Sequence, residues 1–405
     1  MTRRNDPVVP VLDLHGVFFQ TDPHGALREA REQCALAETA MGTAILRYAD
    51  VHAALAHRGL RTPGADFLFM QGITTGPLVN AMQNFLLSTE GEAHDRVRRL
   101  VNKAFTLRRV EEFRPSIRAI ASDLVNAMER REDSDFIEAF ADPFALRTLL
   151  AFIGIPEDAY CRMHQWTSDL GLLFGMSVAE HSARIEAALD NLHDCIDKLL
   201  AEKRRTPGPD LVSALIAARD AEDLLTDAEL RSLMITLMSA GHDTVRHQIG
   251  HAMAAFLAHP AQWRLLGSRP DLSAQAADEV VRWSPASVIG MPRVAAADVD
   301  LFGRSFARGA FLLPITGSAN RDPRVFEAAD EFDIHRKRSA HLTFGGGIHF
   351  CLGAALARVE LQEVLPMLAE RLLDPIPAGP ADWRPPTEAV YGPERLPIAY
   401  RIRRA

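Results

Sequence analysis

Three short stretches of this chain carry residues whose types and spacing could do chemistry. The first is Phe344-Gly-Gly-Gly-Ile-His-Phe-Cys-Leu-Gly353. Three consecutive glycines make a poor helix or strand, because each loses much backbone freedom on folding. They do let a backbone approach something flat and close. Cys351 follows at once and opens a helical run, Ala354–Glu363. Amides at a helix N-terminus point at an anion and favour a thiolate, so Cys351 is placed to ligate a metal that those amides would tune. A glycine turn with one cysteine, taken alone, reads equally well as a turn beside an inert buried thiol. The full spacing F-x-x-G-x-H-x-C-x-G favours the ligand.

The second stretch is Ala240-Gly-His-Asp-Thr244. Gly241 costs roughly 1 kcal/mol in a helix interior relative to Ala. Thr244 can turn its hydroxyl to the carbonyl of residue 240 and bend a helix there. Asp243 sets an acid beside it. Together they predict a locally opened groove, wide enough for a small ligand and able to pass protons. The same residues in isolation would be a polar turn on a solvent face. The third stretch, Glu279-Val-Val-Arg282, puts opposite charges on one helical face. Such a pair is worth little on a surface. It gains meaning from its place between the other two stretches and from Arg336 downstream as a third member.

These residues need elements to hold them. Thr226 and Glu229 have capping-box spacing. Apolar residues then run through Leu230, Leu233, Met234, Leu237 and Met238, continue through Ile249, Met253 and Phe256, and stop near Pro260. At 1.5 Å per residue this predicts one helix roughly 45–50 Å long, centred on Ala240–Thr244. Apolar on most faces, it should cross the interior. Further helices are expected over Arg114–Arg130, Ile185–Arg204, Asp210–Asp220 and Leu272–Trp283. Short strands are expected at Thr43–Arg47, Ala297–Phe302, Ala310–Ile315 and Leu396–Ile402. Thr206–Pro209 and Ile376–Pro386 read as loops. The fold class is mainly α with a small β portion, as a single domain over residues 1–405.

Composition narrows the function. A chain of 405 residues with 47% hydrophobic content has enough apolar matter for a large core. A net charge of -8 argues against a nucleic-acid binder, which usually shows a basic domain. The four cysteines, Cys34, Cys161, Cys195 and Cys351, have no CxxC spacing and are too sparse to staple the chain. A reducing, cytoplasmic setting is expected. No apolar run follows the basic N-terminus, and no stretch reaches the roughly 20 apolar residues that span a bilayer, so no membrane anchor is expected.

At this point the residues resemble the cytochrome P450 family, and in the right order. The Phe344–Gly353 stretch resembles its haem-thiolate loop, AGHDT its oxygen-activating helix, and EVVR its structural pair. Ala319-Asn-Arg-Asp-Pro323, Phe332-Asp-Ile-His-Arg336 and Ala354-Ala-Leu-Ala-Arg358 also match runs of bacterial members. The resemblance implies a triangular helical prism with a long central helix. It implies haem b, iron-protoporphyrin IX, with Cys351 as axial ligand, whose electron donation favours O–O cleavage. Ala240, Gly241, Phe344, Gly345 and Gly353 would lie against the haem. Asp243 and Thr244 would relay protons. His94, Arg98, Arg293 and His349 would meet the haem propionates, with His341 a further candidate. Glu279, Arg282 and Arg336 would be structural. Two departures are Val245, where the family often has a second threonine, and Ser88-Thr-Glu-Gly-Glu-Ala, where bacterial members often have a Pro-rich lead.

The same resemblance implies a pocket lined by Phe67, Phe69, Met70, Ile73, Leu78, Leu237, Val288, Ile289, Met291 and Val390, apolar with few polar anchors. A hydrophobic small-molecule substrate and O2 follow. The chain has no GxGxxG fingerprint after a strand, so electrons must come from elsewhere. By family analogy the source is a ferredoxin with an NAD(P)H-dependent ferredoxin reductase. Arg96, Arg99, Lys103, Arg108 and Arg109 form a candidate basic patch for it. The leading expectation is a monooxygenase. A haem-thiolate peroxygenase and a non-catalytic haem sensor are the alternatives, and the acid–alcohol pair Asp243/Thr244 weighs against both.

Overall fold

The computed structural model describes residues 9–129, 133–175, 177–222, 225–337 and 340–403. Nine helices position the site: α1 Gly91–Ala104, α2 Leu107–Met128, α3 Asp142–Ile153, α4 Tyr160–Gly171, α5 Val178–Arg205, α6 Asp227–Gly241, α7 Asp243–Ala258, α8 Ser273–Trp283 and α9 Ala354–Arg371. α9 packs on α2, α7 and α8, and α3 packs on α2 and α7. Along α2, Ile117, Ala121, Leu124, Val125 and Met128 recur every three or four residues, and all are buried. That spacing is an apolar stripe at the helical period. Burying each leucine-sized side chain stabilises the fold by about 1.5–3 kcal/mol. Leu150, Ile249, Phe256, Val280 and Leu361 close the same core.

The capping box at the start of α6 is present. The Glu229 amide donates to Thr226 Oγ1 at 3.2 Å, and the Thr226 amide donates to Glu229 Oε2 at 2.8 Å. The single long helix expected from the apolar pattern is instead two. α6 stops at Gly241 and α7 starts at Asp243, with His242 between them at φ -87° and ψ -66°. Two side chains account for the break. Thr244 Oγ1 donates to the Ala240 carbonyl at 2.7 Å. The His242 imidazole is drawn aside to Asp142 and Thr167.

Other boundaries moved for local reasons. α2 begins at Leu107 rather than Arg114, because Thr106 Oγ1 accepts the Arg109 amide at 3.2 Å and caps the helix there. Pro115 is carried inside it. α5 begins at Val178 rather than Ile185. The segment expected as a loop at 376–386 holds the end of one strand, Leu372–Pro377, and another, Asp382–Trp383.

Five strands form the larger sheet: β1 Leu36–Thr39, β2 Gly42–Ile45, β3 Leu60–Arg61, β4 Arg293–Ala295 and β5 Phe311–Pro314, in the order β1-β2-β5-β4-β3. β2 and β5 run parallel with Ala44 opposite Leu313, and the other pairs are antiparallel. Arg293 opens β4 opposite Leu312, where the sheet holds its side chain in the interior. Among the described residues no helix is long and apolar enough to cross a membrane.

Candidate active site

The glycine-rich loop is closed by its own backbone. The Cys351 amide donates to the Phe344 carbonyl at 2.8 Å, and the Gly345 amide to Leu342 at 2.9 Å. Gly345 and Gly347 have φ of 74° and 65°, where side chains are strained. A Cβ on Gly347 would sit 2.8 Å from the Leu55 carbonyl oxygen. The glycines therefore seat the loop on the protein's own backbone at Leu55. Cys351 ends the loop just before α9, and its sulfur accepts from the Gly353 and Ala354 amides.

Those amides, with Arg98 and Arg358, favour the thiolate. Burial opposes them and is the larger influence, so the free Cys351 thiol is pushed up from its ordinary value. The helix-start amides expected from the sequence are in place, and burial of the free thiol works against them. Cys351 keeps accessible surface, yet protein crowds its sulfur, and the crowding decides the direction.

Beside the loop lies a cluster suited to an anion. His94, on α1, is buried, and its Nε2 has no hydrogen-bond partner. Its ring meets that of His349 at 4.9 Å. His349 Nε2 lies 2.9 Å from Glu90 Oε1. Arg98 donates to the Phe350 carbonyl at 2.7 Å, which ties α1 to the loop. Arg293 is 2% exposed and donates to the Met291 carbonyl at 3.0 Å, with no ion-pair partner among the described residues. Its burial lowers its pKa to about 10. A buried guanidinium that feels Glu90 only through space, with no direct ion pair among the described residues, and an orphaned imidazole nitrogen are both able to meet a ligand's acid groups.

Glu279 and Arg282 form no surface pair. Arg282 is 0% exposed and bidentate to Glu279, Nε to Oε2 at 2.7 Å and Nη2 to Oε1 at 2.8 Å. It also donates to the carbonyls of Asn320, Ala329 and Glu331. Arg336 joins through Nε, 3.2 Å from Glu279 Oε1. The triad ties α8 to the segment that leads into the cysteine loop. Phe344, within that loop, lies under the Arg358 guanidinium at 4.5 Å. His341 is buried beside Phe344, its Nε2 3.8 Å from Asp278.

At the helix break, Ala240 and Thr244 keep accessible surface while their neighbours Met238 and Ile249 are buried. A Cβ on Gly241 would come within 2.5 Å of Leu149 Cδ1, so glycine here lets α3 approach. Asp243 pairs with Arg384 and lies 3.3 Å from His247 Nε2. Burial raises its pKa, but His247 and Arg384 outweigh burial and hold the carboxyl well below its usual range. Asp142, at the start of α3, meets His164 at 2.8 Å and His242 at 3.2 Å. Arg246 and Glu394 link this group to Arg384. Sequence reasoning missed Asp142, Arg384 and Glu394, because no local spacing points to partners so distant in the chain.

A cavity of about 110 Å³ opens beside Met291 and Ile289. Phe67 lines it with them. Leu78 and Val288 are packed into the core instead. Phe69 and Met70 are exposed on a short helical turn, Asp66–Phe69, and its end. Ile73 and Leu237 lie against the main core, and they and Val390 do not line the cavity. The basic patch is partly spent: Arg96 pairs with Glu229, Arg108 with Glu112, and Arg109 donates to the Ala104 and Pro209 carbonyls.

Comparison with known proteins places these features in context. The family described as Cytochrome P450 matches residues 162–265 and 271–372. Luteothin monooxygenase of Streptomyces thioluteus is 34% identical over 394 residues, covering 97% of this chain and 96% of its own. Mycinamicin IV hydroxylase/epoxidase of Micromonospora griseorubida is 36% identical over 380 residues, covering 92% of each. Among solved structures, CalO2 superposes with a TM-score of 0.90 at 30% identity, over 97% of this chain and 99% of its own.

Proposed function

Because this chain belongs to the cytochrome P450 family and is a haem-thiolate monooxygenase using O2 and a separate redox partner, we propose that it holds haem b through Cys351. On this reading it inserts one oxygen atom into a hydrophobic small molecule, by hydroxylation or epoxidation. The observation that carries the reading is the buried Arg293, which makes no direct ion pair among the described residues, together with the orphaned His94 Nε2, near the Cys351 loop. These groups fit a flat, thiolate-ligated cofactor with two acid arms.

Bound haem supplies the oxygen chemistry, which consumes two electrons and two protons per turnover and releases water. Cys351 Sγ would hold the iron, and the Gly353 and Ala354 amides that donate to it would spread its charge. Arg293, Arg98, His94 and His349 would hold the propionates, and His349, now 2.9 Å from Glu90, would have to exchange that partner. Ala240, Gly241, Phe344 and Gly345 supply surface against the macrocycle. The Thr244 hydroxyl, now donating to the Ala240 carbonyl, is the last proton donor before the reaction centre. Asp243 reloads it. As an anion held by Arg384, Asp243 must let go of that pair to carry a proton inward, which makes Arg384 the gate.

The electron source is proposed to be a ferredoxin with its NAD(P)H-dependent reductase, in the cytoplasm. Arg99 on α1 and the exposed Ile348 and Phe350 beside Cys351 support a docking face there. The test is Cys351→Ala. The reduced, carbon monoxide-treated parent should show the red-shifted absorption of sulfur ligation, and the variant should not. Persistence of that band in the variant overturns the assignment.

A further inference from the structure

The cavity beside Met291 is apolar on almost every side, with Phe67, Met82, Leu87, Phe174, Ile289 and Met291 in its wall. Among the lining residues Glu388 alone carries a charge. Its carboxylate has no ion-pair or hydrogen-bond partner among the described residues, and its backbone amide donates to the Pro385 carbonyl. Oε2 lies against Gly175, 3.5 Å from where a Cβ would stand there. Gly175 closes the helical turn Leu172–Phe174. The Gly175 amide is already used, donating to Leu172 at 3.1 Å. The hydroxyls of Thr62 and Ser287 in the same wall donate to the Leu87 and Ile289 carbonyls.

A carboxylate without an internal donor depends on water. A purely apolar ligand that fills the cavity strips that water and leaves an uncompensated charge, which is costly. A ligand that brings its own cation replaces the water with a charge-assisted contact. The rings of Phe67 and Phe174 line the same space, and aromatic faces attract the same charge.

We propose that Glu388 is the polar anchor of the substrate site, and that the substrate is a lipophilic molecule carrying a cationic nitrogen. The proposal rests on the monooxygenase reading above, because it takes this cavity as the substrate's. It narrows the substrate from any hydrophobic small molecule to an amphiphilic cation whose apolar body fills the wall.

The test uses the haem-loaded full chain and two probes of one shape. One is 4-phenylbutyltrimethylammonium; the other is its neutral carbon isostere, with tert-butyl in place of trimethylammonium. Neither has a lone pair to ligate iron. Binding is read by the haem absorbance shift and by equilibrium dialysis. The wild type should prefer the cation by about tenfold, a ratio worth 1.4 kcal/mol, and added salt should erode the preference. Glu388→Gln should abolish it while binding the isostere as well as before. Should the Gln variant fail to take up haem, Glu388→Asp, which keeps the charge but shortens its reach, should weaken the preference. Equal binding of both probes by the wild type overturns the anchor alone. Survival of the preference in Glu388→Gln does the same. A haem-loaded wild type that binds neither probe overturns both the anchor and the apolar-substrate reading.

Discussion

Glu360 provides a test of how burial sets charge in this fold. It sits on α9, is 2% exposed, and its Oε2 has no hydrogen-bond partner. Burial raises its pKa from 4.5 to about 8, with Thr148 the one neighbour that opposes the rise. The group is therefore protonated in the folded protein at pH 7 and ionised in the unfolded chain. Its folded value is the higher one, so its contribution to stability is fully present below pH 4.5 and is lost as pH rises through 8. Between those limits the loss is about 1.4 kcal/mol per pH step, which gives about 3 kcal/mol at pH 7 and about 5 kcal/mol above pH 8. Glu360→Gln removes the titration and keeps the shape. The neutral amide pays a fixed desolvation cost of about 1–3 kcal/mol at every pH. The variant should thus be no more stable than the parent at pH 5 and clearly more stable at pH 8.5. Parallel thermal melts of the two proteins across that range measure the difference directly. Infrared spectra at pH 7 should show a protonated carboxyl stretch in the parent that the variant lacks. A melting difference that stays flat with pH would falsify the assignment of a neutral buried acid.

Two further outcomes follow from the site. Asp243→Asn should lower kcat about 100-fold, with more NAD(P)H consumed per product and a larger solvent isotope effect, while a spectral titration shows substrate binding unchanged; an unaltered isotope effect would remove Asp243 from the proton route. Glu279→Gln should destabilise the protein by about 3–5 kcal/mol, because it strips the carboxylate from two partly or fully buried guanidinium groups; denaturant melts and the haem content of the purified protein read this, and a normal melt would mean that the carbonyls of Asn320, Ala329 and Glu331 suffice.

Local spacing made part of this site legible. Glu279 and Arg282 are three residues apart on one helix, so their pairing needed no tertiary knowledge. The Thr244 hydroxyl reaches back four residues, again a local rule. A bend there was legible from Thr244, but the full stop at His242 was not, because Asp142, 100 positions away, helps to hold that side chain. Asp243's partner Arg384 is 141 positions off, and Glu394 is 148 from Arg246. Only the fold brings such partners together. The surroundings of Cys351 were legible only in part. The amides that favour a thiolate are written in the helix start, but the protein packed around the sulfur is not, and it outweighs them. The pocket shows the same limit: Phe67, Phe69 and Met70 are near neighbours in sequence, yet one lines the cavity and two face solvent.

Two buried arginines show how the fold separates a structural charge from a binding one. Arg282 and Arg293 are 0% and 2% exposed, so both have lost nearly all their water. Arg282 has replaced it fully, with both oxygens of Glu279 and three backbone carbonyls. Nothing further can be gained there, and a ligand would have to break a bidentate pair to reach it. Arg293 has carbonyls alone: Met291 at 3.0 Å, Pro292 at 3.3 Å and Leu55 at 3.5 Å. Burial lowers its pKa to about 10, and the charge of Glu90, not hydrogen-bonded to it, offsets only part of that fall. An incoming acid group therefore recovers at Arg293 what Arg282 has already recovered from Glu279. Burial alone does not distinguish the two; a directly bonded carboxylate does. By that criterion Arg282 is already satisfied within the fold, and Arg293 keeps the capacity to meet an acid group.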